Sequence, residues 1–403
     1  MISHLSRRAF VGAVGATFAS AAIPRWASAA GARDPRFVVV ILRGALDGLS
    51  AVAPIGDPDY ADLHGQLALQ WSGEHPALRL DDFFGLNPSM ANFGRLYDAK
   101  EALIVHATAT SYRERSHFDG QDVLESGLAP DHVESGWLNR AVSALPQGER
   151  VEGGGVLAVG ATAPLVVRGP APILGWAPSG LAVPSDDLIA RLTDLYNHSD
   201  PALAKALQAG LDADRMATRR GMDVLRPGGD VALAMRKAAQ GAARLMSADD
   251  GPRIGALAFD GWDTHANEGG ATGRLAQLLG GLDGVFAAFE TELGARWKDA
   301  VVVAITEFGR TAHINGTVGT DHGTATVAFL AGGALNGGRV VADWPGLKTA
   351  DLYEQRDLKP TTDLRAVLKG VLADHLGLSA DTLARSVFPE TIGVPPMRGL
   401  IAA

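Results

Sequence analysis

Five side chains able to bind a cation or a charged substrate, Glu307, Arg310, His313, Asp321 and His322, fall within one segment, VVVAITEFGRTAHINGTVGTDHGTATVAFLAGG, residues 301–333. Its middle is too polar and glycine-rich to be core. A second group, Asp260, Asp263, His265 and Glu268, crowds into FDGWDTHANE after an apolar run. Acids and histidines at this density form an oxygen and nitrogen donor set for a divalent cation. A solvated turn is the plainer alternative, and Trp262 with the upstream β run weighs against it. A third group is TATSYRERSHFDGQD, residues 108–122. Ser116 stands where a helix begins. A serine there is ordinarily an N-cap, but the free N–H groups and the helix dipole also suit an alkoxide nucleophile or a bound oxyanion. Arg113, Arg115 and His117 beside it keep both readings open. Asp47, in RGALDG, is either a turn aspartate or a metal-binding acid.

These groups need elements to bring them together. Arg36–Leu42 (RFVVVIL), Ala102–His106 (ALIVH), Ile254–Phe259 (IGALAF), Val301–Ile305 and Ala325–Leu330 read as buried strands, the last two as parallel strands of one sheet. Val156–Val159 and Leu165–Val167 read as short strands. In open α/β sheets, ligands bind beyond the carboxyl ends of the strands, which is where Asp47, Asp263, His265 and Glu307 fall. Helices are expected at Ala91–Asp98, Leu275–Leu293 and Leu364–His375, with Asp363 as a cap. Residues 54–90 form a long excursion, 185–250 a peripheral helical insert, and 388–403 a proline-rich surface tail. His198 and His375 read as structural.

Composition narrows the function. The 403 residues contain no cysteine, so any metal must be held by His, Asp and Glu. The formal charge is −9. Residues 1–30 hold Arg7, Arg8 and Arg25 and no acid, which leaves 33 cations against 45 anions, near −12, and excludes nucleic acid as a partner. Ser6-Arg7-Arg8-Ala9-Phe10, an Ala/Gly-rich apolar stretch and Ala27-Ser28-Ala29 resemble a twin-arginine signal peptide. The run is too short for a stable membrane span. The expected organisation is a signal over 1–30 read by the twin-arginine export machinery, then one α/β domain over 31–403, periplasmic or secreted, without a membrane span.

VVVILRGALDGLS, RSHFDGQDVLESG, FDGWDTHANE, ITEFGRTA and GTDHGTATVAFLAGG, in this order, resemble domain of unknown function 1501 (DUF1501), which is similar to the alkaline phosphatase and sulfatase superfamily. The resemblance implies a three-layer α/β fold, a mostly parallel central sheet flanked by helices, with one or two divalent metal ions (zinc, manganese, calcium or magnesium) at the strand ends. It implies Asp47, Asp263, His265, Glu307, Asp321 and His322 as candidate ligands. Ser116 matches the nucleophile best, with Thr110 and Ser111 as rivals, and Asp260 stays open as a ligand. Glu307-Phe308 stands where the superfamily has an Asp-His pair, so one metal loses a histidine. His322 is then the later histidine; the other alignment puts the pair on Asp321-His322 and leaves the later histidine absent, with Asp363 a weak substitute. Arg115, Arg310 and His117 complete the catalytic set. The implied activity is hydrolysis of small anionic phosphate or sulfate esters. The alternative is a non-catalytic exported binding or assembly protein on the same scaffold. Acids buried together without a cation would have raised pKa values.

Overall fold

In the computed structural model, strand β1 (Arg36–Arg43) places Phe37, Val39 and Ile41 in one buried cluster and Val38, Val40 and Leu42 in another. Successive strand side chains point to opposite faces, so a strand apolar at every position is covered on both sides. The structure describes residues 33–130, 134–145, 155–160, 162–177 and 230–402, with a few single positions between 192 and 211. The arginine-pair segment, Ser185 and His198 lie outside the described residues.

Strands β2 (Val52–Ala53), β3 (Leu78–Arg79) and β4 (Gly85–Leu86) make a small sheet of order β2-β4-β3. The main sheet joins β1 to β5 (Ala102–Ala109), β6 (Val156–Val159), β7 (Ile173–Trp176), β8 (Ile254–Asp260), β9 (Ala300–Ile305), β10 (Thr326–Ala331), β11 (Arg339–Val341) and β12 (Thr362–Asp363). Its order is β11-β5-β10-β9-β1-β8-β6-β7, with β12 also on β5. All pairings are parallel except those of β10, which is antiparallel to β9 and β5. The expected parallel pairing of 301–305 with 325–330 is therefore corrected. A strand buried on both faces carries the same apolar run in either direction, and the connection here is a loop rather than a crossover helix. Leu165–Val167 is a 3-10 turn rather than a strand, and the strand of that region is β7.

Among the described residues, the helices of four or more residues include α1 (Gly48–Ala51), α2 (Tyr60–His64), α3 (Ala91–Asp98), α4 (His117–Ser126), α5 (Trp137–Ala144), α6 (Val231–Met246), α7 (Arg274–Leu293) and α8 (Leu364–Leu376). α3, α6 and α7 bring Phe93, Met235, Leu282 and Phe286 against one face of the sheet, and α4, α5 and α8 bring Leu124, Trp137, Val367 and Val371 against the other. Residues 231–246, expected in a peripheral insert, thus supply a core-packed helix. α3 has no cap of its own. Asp283 of α7 accepts from the N–H groups of Phe93 at 2.8 Å and Asn92 at 3.2 Å and supplies one. The tail is tied to α8 through Lys369, whose Nζ donates to the carbonyls of Thr391 and Val394 at 2.7 and 2.8 Å. Among the described residues no helix is long and apolar enough to cross a membrane.

Candidate metal centre

Two close backbone approaches assemble the site. Gly44, after β1, has φ +121°, and a Cβ there would lie 2.4 Å from the Asp263 nitrogen. Glycine at this point lets the exit loops of β1 and β8 touch, and Trp262 N–H donates to Arg43 O at 3.2 Å. Gly309, after β9, makes the second approach. Its N–H donates to Thr324 O at 2.9 Å, and a Cβ would fall 1.9 Å from Ala325 O. This pairing sets Arg310 opposite His322. The reversal of β10 matters here, because residues preceding an antiparallel strand stand at the same edge as those following its parallel neighbours. His322 therefore meets the loops that leave β8 and β9.

Three histidines converge on one carboxylate. His117 Nε2 lies 3.4 Å from Asp263 Oδ2, while His265 Nε2 and His322 Nε2 lie 3.0 and 3.5 Å from Asp263 Oδ1. His265 Nε2 and His322 Nε2 are 3.0 Å apart. His117, Asp263 and His322 each offer a ligand atom within 4.8 Å of the others. Each ring is held from behind. His117 Nδ1 donates to Glu307 Oε1 at 2.9 Å, His322 Nδ1 to Arg115 O at 2.9 Å, and His265 Nδ1 to Asp321 Oδ1 at 3.2 Å. Those acceptors carry no protons, so each Nδ1 holds its hydrogen, and in the neutral ring each Nε2 is the atom left to ligate a cation. His117 Nε2 is buried and has no hydrogen-bond partner among the described residues. An orphaned buried nitrogen aimed at a carboxylate and two more imidazoles fits a cation. Phe308 stacks on His117 at 5.0 Å and lies 5.4 Å from His322, so it forms an apolar wall rather than a ligand.

The site acids do not behave as a bare carboxylate cluster would. Burial works to raise Asp263, but the hydrogen bond and charge of Arg310, then His265 and His117, hold it below the usual carboxylate range. Burial likewise opposes ionisation of Glu307, and donors from His117, Gly44 and Thr306 keep it low. Asp321 is lowered by Asn315 and His265. The expectation of raised values is therefore corrected for these three, because each carboxylate has donors. Glu268 does rise well above its ordinary value, through burial and the nearby charge of Asp47. The Glu307 hydrogen bond raises His117, whereas burial and the charges of His117 and Arg310 lower His322.

Other residues singled out in the sequence are placed differently. Asp47 is buried, and its side chain partners His64 and the first turn of α1 rather than the three histidines. Its Oδ1 caps α1 through Leu49 and Ser50, and its Oδ2 lies 3.2 Å from His64 Nε2, to which Ser50 Oγ is also bonded at 2.7 Å. Arg310 commits all three nitrogens, Nη1 to Asp263 at 2.7 Å, Nε to Thr320 Oγ1 at 3.1 Å and Nη2 to Thr320 O. Arg115 turns to Asp357 at 3.0 Å and Glu354 at 2.5 Å, and Arg113 to the carbonyls of Thr110 and Tyr112 at 2.5 and 2.7 Å. Each of these arginines thus already holds protein acceptors, Arg113 through Nη1 and Arg115 through Nε and Nη2. Ser116 is the N-cap residue of α4, and its hydroxyl makes no capping bond. Thr110 is buried on Glu307 O at 3.3 Å, and Ser111 is exposed. Asp260 is exposed at the end of β8, and His313 is exposed with Nδ1 toward Ile314 O. Asp363 caps α8 and pairs with Arg365. His375 binds Arg36 O at 2.9 Å, at the start of β1 and thus the opposite edge of the sheet.

The sequence reading missed three positioning residues. His64 comes from the polar excursion, where a lone histidine gives no signal. Asp357, fully buried, binds Arg115 and Thr324 Oγ1 at 2.8 Å. Gln121 donates to Glu307 Oε1 at 3.2 Å, and its spacing of four from His117 on one helix could have revealed it.

Sheet and edge cluster together define an α/β protein with a candidate metal site beyond the carboxyl ends of its parallel strands. The chain belongs to the family described as Protein of unknown function (DUF1501), whose model matches residues 34–387. No curated protein matches it. Among solved structures it is similar to Ps i-CgsB in complex with k-i-k-neocarrahexaose, with 10% identity, a TM-score of 0.44, and 90% of this chain and 77% of that chain covered. It is also similar to PsFucS1 sulfatase from Pseudoalteromonas sp., with 13% identity, a TM-score of 0.35, and 76% and 64% covered. A third is the phosphonate monoester hydrolase of Agrobacterium radiobacter, with 11% identity, a TM-score of 0.35, and 85% and 74% covered.

Proposed function

We propose that this chain is an exported metal-dependent hydrolase of phosphate or sulfate esters. The observation that carries the reading is the convergence of three Nδ1-anchored histidines on Asp263. His117, His265, His322 and Asp263 would hold the ion, and three nitrogens with one carboxylate suit zinc best among divalent metals. A cation there supplies Lewis acidity toward an ester oxygen. The remaining work belongs to the protein. Glu307, Arg115 O and Asp321 fix the imidazole tautomers, Arg310 orients Asp263, and Phe308 keeps water from one side. Ser116 is the proposed nucleophile. Its oxygen forms the bond to phosphorus or sulfur as the bond from that atom to the leaving oxygen breaks and the serine proton passes to the departing alcohol; water then bonds to phosphorus or sulfur as the serine oxygen leaves and takes back a proton. The first N–H groups of α4 face the charge that develops on the transferred group. The arginine pair at Arg7 and Arg8 supports export.

One observation favours the second reading, a non-catalytic exported binding or assembly protein. Arg113, Arg115 and Arg310 are all occupied by protein acceptors. Hydrolysis of 4-nitrophenyl phosphate and 4-nitrophenyl sulfate by zinc-loaded protein separates the two. The hydrolase reading expects turnover with at least one ester, abolished by a chelator and by Ser116→Ala. No turnover of either would favour the binding protein.

A further inference from the structure

The outer face of α4 carries a feature that the cluster does not use. A cavity of about 300 Å³ is bounded by Arg43, Phe118, Gln121, Asp122, Glu125 and Arg168. Phe118, Asp122 and Glu125 recur along one stripe of the helix, next to the stripe of His117 and Gln121 that faces Glu307. Gln121 belongs to both, so the cavity adjoins the proposed reaction centre through one side chain.

The charges of this wall cancel. Arg43 gives Nε and Nη2 to Glu125 Oε1 at 3.1 and 2.6 Å, and Glu125 Oε2 accepts from Val166 N–H at 3.0 Å. Arg168, anchored through Nε on Ala163 O at 2.9 Å, lies within electrostatic reach of Asp122. Two cations and two acids give this wall no net formal charge, so neither an anion nor a cation is favoured by charge sum. Arg43 and Glu125 satisfy each other, which leaves Gln121, Asp122 and Arg168 as the donors and acceptors that line the cavity for a ligand. At the rim stands Phe118, 87% exposed and the most exposed of the large hydrophobic side chains among the described residues. An aromatic ring left in water at that cost offers an electron-rich face to weakly positive C–H groups. A ligand that is neutral, carries hydroxyls as both donors and acceptors, and has one face of C–H bonds answers all three features. The volume lies at the small end of ligand cavities, roughly 300 Å³, which suits one ring rather than a polymer.

We propose that this cavity is a subsite for a sugar ring, the alcohol part of the ester. The inference deepens the hydrolase reading and rests on it for the role of the ring as leaving group. Saturation-transfer NMR on the mature protein with the methyl α-pyranosides of glucose, galactose and mannose tests it without requiring turnover. At least one glycoside should receive saturation on its ring C–H protons. Phe118→Ala and Arg168→Ala should each reduce that signal by more than half, and His322→Ala should leave it unchanged. Phe118 is exposed, so its loss does not threaten the fold. Absence of transfer to all three glycosides, or transfer indifferent to both cavity variants, would overturn the subsite. Failure of ester hydrolysis with transfer intact would count against the hydrolase reading and leave the sugar site standing.

Discussion

The Nε2 atoms of His265 and His322 face each other at 3.0 Å, while both Nδ1 atoms donate to oxygens that can only accept. Two neutral imidazoles so anchored would point lone pairs at one another. A shared cation would resolve this. Zinc with Zn–N bonds of roughly 2.0–2.1 Å holds two nitrogens of a tetrahedron roughly 3.3 Å apart, close to the spacing found. A bridging proton is the competing solution; it would also lie beside Asp263 Oδ1, 3.0 Å from His265 Nε2, but it leaves the buried His117 Nε2 without a hydrogen-bond partner among the described residues.

Glu307 Oε1 holds His117 Nδ1 at 2.9 Å, so its removal should act on affinity rather than on ligand count. Glu307→Gln keeps the shape of the side chain and removes the charge that raises His117. We expect zinc affinity, read by competition with a chelating dye, to fall about tenfold to a hundredfold. An unchanged affinity would remove Glu307 from the account.

Asp47 and His64 form a buried pair, both essentially inaccessible. Burial opposes the charge on Asp47, but His64 and Ser50 bring its pKa down from 3.8 to about 2. A depressed acid contributes stability that is present above 3.8 and is lost as pH falls toward about 2. Burial opposes protonation of His64, yet Asp47 raises its pKa above 6.5, and that contribution is present below 6.5 and lost as pH rises through the folded value. The pair therefore stabilises most between about pH 4 and 6.5. Asp47→Asn should cost about 3 kcal/mol in urea unfolding at pH 5.5 and flatten the acid limb below pH 4. Zinc content should not change. Loss of the metal from this variant would restore Asp47 to the ligand set.

Gly44→Ala tests the backbone approach that seats Asp263. Alanine at a compatible site stabilises by about 0.4–1 kcal/mol. Here the φ of +121° and the 2.4 Å approach to Asp263 N make it incompatible. A loss of at least about 2 kcal/mol is expected in denaturant titration. A neutral or stabilising result would mean that the β1 and β8 loops do not touch as described.

Much of this site was legible because buried strands announce themselves. RFVVVIL, ALIVH, IGALAF and VVVAI became β1, β5, β8 and β9 within a few residues of their expected ends, and the polar loops beyond β8 and β9 hold Asp263, His265 and Glu307. His322 was placed at the right edge although its strand was given the wrong direction. Proximity to a strand start carries a residue to this edge only if that strand is reversed, and an apolar run does not encode direction. Strand β7, ILGW, is four residues long with an internal glycine, too weak a pattern to register. Side-chain commitments were not legible at all. Arg115 and Arg310 look like anion clamps in one dimension, and only the fold brings Asp357 and Asp263 beside them.

The central claim is that His117, His265, His322 and Asp263 bind one divalent ion, and metal content tests it most directly. Mature protein, purified without chelator and equilibrated with one equivalent of zinc, should retain close to one ion per chain by mass spectrometry after desalting. His322→Ala should retain less than a fifth of that. His375→Ala, at the opposite edge of the sheet on Arg36 O, should retain all of it. Equal zinc in the two variants, or none in the parent protein, would contradict the account.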